Sequence, residues 1–322
     1  MVITNIFYGY DHQQPSKINV LSEKDRKNKM QRSIAVVLHH KLNASSAIVQ
    51  KLCHRLQEHG IRITLIDNLD PYPFGVPRQL LPQDTELVIV LGGDGAILGT
   101  TELVYGTNIP ILGINMGHVG FLAELEQFQT DEAIDSIIHQ NYSIEERNIA
   151  SATLTIPGQP PQQDWALNEI VIEKTHRGKM IELAISVDHT EVSSFGADGI
   201  VIATPTGSTA YGFSAGGPIL WPTLPALEIV PIAAYSLFAR PMIIGPHSEL
   251  DIQILNHFDN KGYIVCDGRR EMTLPEQTKI HIALADTTVK LVRLNKESFT
   301  ERLITKFQIP VNGWKTQTSH DS

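Results

Sequence analysis

The sequence predicts an α/β amino-terminal domain built on a parallel sheet, followed by a β-sandwich-like carboxy-terminal domain. Three observations support that prediction. Between residues 34 and about 142, short apolar runs alternate with stretches of helical apolar spacing, the pattern of a parallel sheet covered on both faces. Beyond about residue 143, strand-like runs follow one another through turns, which marks a mostly β half. The chain has 322 residues and is 42% apolar, enough for two cores.

The elements follow in order. IAVVL (34–38) reads as a buried parallel strand, and Asn43 as the cap of a helix whose Ile48, Leu52 and Leu56 share one face and which stops at Gly60. IRITLI (61–66) is the next strand, and ELVIVL (86–91) the third, after a proline-rich loop. It runs into the turn Gly92-Gly93-Asp94-Gly95 and a helix over Ala96 to Tyr105. ILGIN (111–115) is the fourth strand, and Ile134, Ile137 and Ile138 line one side of a helix over 131–139. In the second half, strands are expected in ALNEIVIE, MIELAISV, TEVSSF and GIVIATP, with a turn at Asp188-His189. LDIQIL, GYIVCD, KIHIAL and VKLVRL follow a glycine-rich stretch from Gly207 to Gly217. The expected divisions are a poorly ordered extension over 1–32, the α/β domain over 33–142, the β-rich domain over 143–295 and a final segment over 296–322. FTERLITKF in that last segment has an amphipathic spacing suited to docking on the first domain.

Composition excludes several classes. With 35 acidic against 26 basic side chains the net charge is −9, which argues against a general nucleic-acid binder. Only 2 cysteines occur, Cys53 and Cys266, so there is no disulfide framework and a reducing cytoplasmic compartment is expected. The most apolar long stretch, 229–245, is broken by Pro231, Arg240 and Pro241, so no membrane helix is expected. The basic residues before position 33 lack the apolar run of a secretory signal. The 13 histidines lack paired ligand spacing, and His118 reads equally well as a turn residue.

Chemistry concentrates in two places. Gly92, Gly93 and Gly95 lie just past a strand and at a helix start, where backbone N–H groups and the helix terminus bind phosphate. Asp94 is the anomaly, because a bare carboxylate repels phosphate. It suits a base that takes the proton of an alcohol during phosphoryl transfer, or simply a helix cap. The spacing Gly93, Gly95, Gly99 is GxGxxxG, which disfavours a dinucleotide-binding Rossmann turn, and no GxxxxGK[ST] segment occurs. The second place is Thr204-Pro205-Thr206-Gly207-Ser208-Thr209-Ala210-Tyr211-Gly212, continuing to Pro218, whose small residues and hydroxyls let backbone run close to a ligand while Tyr211 covers a ring. Asn168-Glu169 and Asp198-Gly199 add polar groups suited to ribose and base edges, although each alone reads as an exposed pair or a turn.

In this order, Gly92-Gly93-Asp94-Gly95, Gly117-His118-Val119-Gly120-Phe121, Asn168-Glu169 and the run from Asp198 through Tyr211 to Pro218 resemble the NAD kinases. Cys266-Asp267-Gly268-Arg269-Arg270 and the stretch 299–314 look most like the actinobacterial branch. A GGDG turn alone is shared with diacylglycerol and sphingosine kinases; TPTGSTAY after an Asn-Glu pair is far more specific. The resemblance implies an NAD kinase/diacylglycerol kinase-like fold, with the site between the domains. It implies that Asp94 accepts the proton of the 2′-hydroxyl of the adenosine ribose of NAD. For the NAD pocket it implies Gly95, Phe121 beside the adenine, Asn168, Glu169, Asp198, Thr209, Ala210, Tyr211, Gly212, Phe213 and Ser214, with Lys179 and Arg269 at more variable contacts. It also implies ATP with a divalent ion, usually Mg²⁺, as phosphoryl donor, polyphosphate in some members, and homodimers or homotetramers. Two readings stay beside it: a lipid kinase of the diacylglycerol type and a module that binds NAD without turnover.

The sequence departs from the family at three positions. Ala96 stands where relatives often have Thr or Asn, and Gly99 where they often have Arg, removing a hydroxyl and a cation near the phosphates. Gly196 is Arg in some relatives, and without that cation NADH is expected to be accepted alongside NAD.

Overall fold

A computed structural model describes residues 4–5, 32–39, 42–66, 69–76, 81–115, 120–123, 125–126, 130–237, 239–255, 261–294 and 297–310. Its first half is a parallel sheet of β1 (Thr4–Asn5), β2 (Ser33–Leu38), β3 (Arg62–Ile66), β4 (Leu87–Leu91) and β5 (Ile111–Asn115), in the order β1-β3-β2-β4-β5. A short β6 (Leu125–Glu126) adds to β5. The central strands β2, β4 and β5 are buried along their whole length and almost wholly apolar, because both faces are covered. Ile34, Val36, Leu38, Ile89 and Leu91 pack under α1 (Ala47–Glu58) and α3 (Thr130–Ile138), which contribute Val49, Leu52, Leu56, Ile134 and Ile137. The alternate residues Ala35, Val37, Val88 and Val90 pack under α2 (Asp94–Val104), through Ile97, Leu98 and Leu103. Each such large aliphatic side chain contributes about 1.5–3 kcal/mol by leaving water.

Local differences from the sequence reading have local causes. Asn43 does not cap α1: its Oδ1 accepts from the Ser45 N–H, forming a turn, and Ser46 occupies the cap position. Gly60, at φ +74°, lies just past the C-cap of α1. Of the expected extension over 1–32, Thr4–Asn5 is instead paired with β3, and Arg32 bonds the Glu86 carboxylate and the carbonyls of Ile137 and Ile138. The rest of 1–32 lies outside the described residues, as do Gly117, His118, Val119 and Trp314.

From Ser143 the pairing turns antiparallel. One sheet contains β9 (Glu169–Lys174), β12 (Gly199–Ala203), β13 (Leu227–Ile232), β14 (Met242–Ile244), β16 (Gly262–Cys266) and β17 (Arg270–Leu274), in the order β14-β13-β12-β9-β16-β17. Facing it are β7 (Ser143–Thr155), β8 (Gln162–Ala166), β10 (Ile181–Val187), β11 (Thr190–Ala197), β15 (Leu250–Ile254) and β18 (Lys279–Arg293). A shared core of Leu154, Ile181, Leu183, Ile200, Ile229, Ile264 and Ile280 lies between them, giving the sandwich. The β10–β11 turn uses Asp188 and Asp188's neighbour His189 at φ 49° and 63°, the left-handed pair of a tight hairpin. KIHIAL and VKLVRL, expected as two strands, are one strand, β18, whose register against β7 shifts between Leu284 and Thr288. The far end of β18 pairs with β5 at Leu291 and Ile111, so the parallel strands and one sandwich sheet form a single twelve-stranded sheet.

The last element, α5 (Phe299–Phe307), opens with a capping box of Ser298 and Glu301. It lies across both halves: Phe299 and Phe307 contact Phe121, Phe307 contacts Phe213, and Phe299 contacts Trp221.

Candidate active site

Asp94 is the first residue of α2, with Gly93 as N-cap and no side-chain cap bond. Its carboxylate turns instead to the segment after β5. Oδ2 accepts from the Phe121 N–H at 2.9 Å and Oδ1 from the Leu122 N–H at 3.1 Å. The close approach requires Gly120, where a Cβ would lie 2.2 Å from Asp94 Oδ1. The capping alternative therefore gives way to a carboxylate held in place by backbone N–H groups. Gly93 and Gly95 leave open space where a side chain would stand, as a ligand approaching their backbone needs. Gly92 differs: its N–H donates to the Ile114 carbonyl at 3.0 Å, and a Cβ there would lie 2.7 Å from Ala96 Cβ. Its role is packing, and its amide is occupied within the sheet.

The second cluster frames itself before it offers anything to a ligand. The Thr204 hydroxyl donates to the Leu167 carbonyl at 2.5 Å and accepts from the N–H groups of Thr206 and Gly207. Ser208 bridges the Pro205 carbonyl and the Leu220 N–H, and the Thr209 and Ser214 hydroxyls bond the carbonyls of Thr206 and Ala210. Most hydroxyls of the motif thus hold the turn. Gly207 is required because a Cβ would lie 2.1 Å from the Asn168 carbonyl oxygen. After this turn Ala210 leads into α4 (Tyr211–Ser214), whose Gly212 is buried while Tyr211 and Phe213 remain exposed. The Tyr211 hydroxyl donates to Glu173 at 2.9 Å and Tyr263 donates to the other oxygen of the same carboxylate; burial and then this bond push Tyr211 up to about 12, and the bond and then burial do the same for Tyr263.

Asn168 and Glu169 open β9 directly under this turn, both buried. Asn168 Oδ1 and Glu169 Oε2 have no hydrogen-bond partner, so a ligand donor reaching either would gain a full bond. Burial, then the neighbouring Asp267, pushes the Glu169 carboxyl up to about 8, against the Tyr211 N–H that favours its charge. Asp94 with Phe121, and Asn168 and Glu169 with 209–214, thus form two clusters. Phe307 joins them, its ring centroid 5.8 Å from Phe121 and 4.6 Å from Phe213.

Four other expected contacts have their own surroundings. Asp198 precedes β12, at the opposite end of that strand from Thr204, and pairs with Lys174. Gly196, on β11, is covered by Met180, whose methyl would lie 3.3 Å from an added Cβ. Lys179 is exposed in the loop between β9 and β10, where its N–H bonds the His176 carbonyl. Arg269 is directed back into the fold: Nε bonds Glu102 at 2.8 Å and Nη2 the Leu69 carbonyl at 2.7 Å. Its guanidinium carbon would lie 3.0 Å from a Cβ on Gly99, so the guanidinium packs against α2 where position 99 has no side chain.

Sequence reading missed the residues behind these. Asp267 accepts from the Leu167 and Asn168 N–H groups at 3.0 and 2.7 Å and so sets the start of β9. Arg270 bonds Asp164 and Glu102 at 2.9 Å each, with its guanidinium over the Trp165 ring. Arg147 bonds Thr206, Arg293 the Leu122 carbonyl and Arg302 the Ala123 carbonyl, bracing the segments that hold Asp94 and the threonine turn. The pair Arg269-Arg270 and the Asp before it were the available signal; Arg147 and Arg302 gave none. Both cysteines are free and buried, with Cys53 pushed up to about 11 by burial. Among the described residues no group of three His, Cys, Asp or Glu side chains converges as a metal site, and no helix is long and apolar enough to cross a membrane.

Residues 24–142 match the ATP-NAD kinase N-terminal domain and residues 167–294 the ATP-NAD kinase C-terminal domain. The NAD kinase of Bifidobacterium longum subsp. infantis is 49% identical over 292 residues, covering 90% of this chain and 86% of that protein. The NAD kinase of Leifsonia xyli is 40% identical over 90% of this chain and 99% of its own. In fold, the chain is similar to yeast NADH kinase complexed with NADH, with a TM-score of 0.76 and 21% identity over 89% of this chain and 90% of that one. It is also similar to an NAD kinase from Archaeoglobus fulgidus in complex with ATP, with a TM-score of 0.66 and 24% identity over 86% of this chain and 97% of that one. With both domain families matched in order and relatives this similar across nine-tenths of its length, the chain belongs to the NAD kinase family.

Proposed function

We propose that Asp94 is the base in the reaction of this family, the transfer of the terminal phosphate of ATP to the 2′-hydroxyl of the adenosine ribose of NAD, giving NADP. The observation that carries this role is the carboxylate itself, held at the start of α2 by two N–H groups and flanked by open space at Gly93 and Gly95. A base fixed in this way is pre-oriented for an alcohol proton, and phosphoryl transfer depends mainly on such positioning. Asn168 Oδ1 and Glu169 would take ribose or base donors, while Phe121 and Phe213 would flank the adenine. Backbone at Gly93 and Gly95 would receive phosphate. The donor would arrive as ATP with Mg²⁺, the ion carried by the phosphates.

The same reading extends to acceptance of NADH, supported by Gly196, which lies against Met180 at the position where some relatives carry Arg. It also extends to a homodimer or homotetramer and to a cytoplasmic setting, the latter supported by two free, buried thiols. The test is a coupled assay of NADP and NADPH formation, with ATP and polyphosphate as donors and NAD and NADH as acceptors, each with and without Mg²⁺. NADP from MgATP and NAD is expected. No product from any donor would leave a binding module. Light scattering reads the assembly.

A further inference from the structure

We propose that Glu228 is a positioning residue for the dinucleotide turn: its carboxyl group, buried without a partner beneath Gly212 and Gly217, sets the height of α4, and a negative charge there displaces the turn and weakens NAD binding.

Glu228 interrupts the apolar run LEIVPI of β13, where Leu227 and Ile229 point into the sandwich core and Glu228 shares the other face with Val230. That face carries α4. The side chain is fully buried, and neither carboxyl oxygen has a hydrogen-bond partner. The fit against the turn is close, since a Cβ on Gly212 would lie 2.0 Å from Oε1 and one on Gly217 2.8 Å. The elements around it offer no counter-charge. Its strand neighbours β12, opposite at Ala203, and β14, opposite at Ile243, carry no charged side chain. The titratable group on α4 is Tyr211, whose hydroxyl is bonded to Glu173. Across β12, β9 brings Glu169, a second buried acid that Glu228 further disfavours from ionising.

An ionised carboxylate here would be uncompensated, and water or a cation could reach it only by lifting the turn. Burial accordingly pushes the Glu228 carboxyl up to about 7. In the unfolded chain it ionises at the ordinary carboxylate value, so the folded protein binds the extra proton between that value and neutrality. Stability and a well-formed turn are therefore present at low pH and are lost as pH rises through about 7. If NAD binds only the neutral form, its apparent affinity falls roughly tenfold between pH 6 and 8.

The inference rests on the NAD kinase reading, and the experiment separates the two. KM for NAD and kcat are measured with saturating MgATP from pH 6 to 8.5 for the wild type, Glu228→Gln and Glu228→Met, together with thermal unfolding midpoints across the same range. Both variants remove the titrating group, and the second keeps the volume without polar atoms. The wild-type KM is expected to climb by roughly tenfold more than the Gln variant's while kcat changes little, with the variant rescuing NAD affinity at pH 8. The wild-type midpoint should fall across the range more steeply than those of both variants. A KM that climbs equally in wild type and Gln variant, or midpoints that run parallel, overturns the proposal. Absence of NADP at pH 6 would instead count against the proposed chemistry, and the midpoints would still decide whether Glu228 titrates.

Discussion

At the scale of single residues, function depends on contacts a sequence does not display. Asp94 accepts two backbone bonds, so Asp94→Asn replaces one acceptor by an amide that faces an N–H. Transfer is expected to fall by about 10²–10⁴-fold for loss of the base. The misplaced amide should also cost about 1–3 kcal/mol of stability. Coupled NADP formation and urea denaturation read the two effects separately, and a variant with normal turnover would remove the base from Asp94. Gly207 makes a different point: it is required by the Asn168 carbonyl 2.1 Å from where its Cβ would be, rather than by an unusual φ. Gly207→Ala is expected to cost about 1–3 kcal/mol as overpacking. Because the displaced atom belongs to Asn168, KM for NAD should rise along with the loss of stability. Stability loss with an unchanged KM would separate this carbonyl from the site.

Among the elements, α5 has an effect beyond its length. Nine residues with an amphipathic face would be marginal as an isolated helix. Here Leu303 is buried and the two terminal phenylalanines reach rings from both halves of the molecule. Ser298 accepts from the Glu301 N–H and Glu301 returns a bond to the Ser298 N–H, so Ser298→Ala should cost about 1 kcal/mol. Phe307→Ala tests whether the helix serves binding as well as folding. The ring connects Phe121 to Phe213, and its loss is expected to raise KM for NAD several-fold while kcat stays within about twofold. Equal losses in both constants would instead place α5 in the alignment of the reacting groups.

For the whole molecule, a buried ionic chain ties the two clusters of the site together. It runs from Glu102 on α2, the helix that begins with Asp94, through Arg270 to Asp164 and Asp267, and from Asp267 to the N–H groups of Leu167 and Asn168. Burial raises the Asp267 carboxyl and the Arg270 guanidinium opposes that shift, so removal of the arginine leaves buried acid without its cation. Arg270→Met is expected to cost about 3–5 kcal/mol in urea denaturation. Arg269→Met should cost less, because Arg269 is more exposed and Glu102 keeps Arg270. Equal costs would show that the chain does not centre on Arg270.

The sequence by itself determined the alternating α/β half, the strand-rich half, the glycine turns and the family motifs, because apolar period and turn chemistry are local properties that neighbouring residues fix. ILGIN coincides with β5, and Asp188-His189 adopts the expected turn. Only the tertiary structure decided which groups are already bonded within the fold. Gly92 is occupied in the sheet, most of the motif's hydroxyls hold nearby backbone, and the Arg269 guanidinium packs against Gly99 from 170 positions away in sequence. Asp267, Glu228 and Arg270 acquire their roles through burial and charge neighbours brought in by strand pairing. Desolvation and Coulomb interaction depend on distance through space, and distance along the chain does not record it.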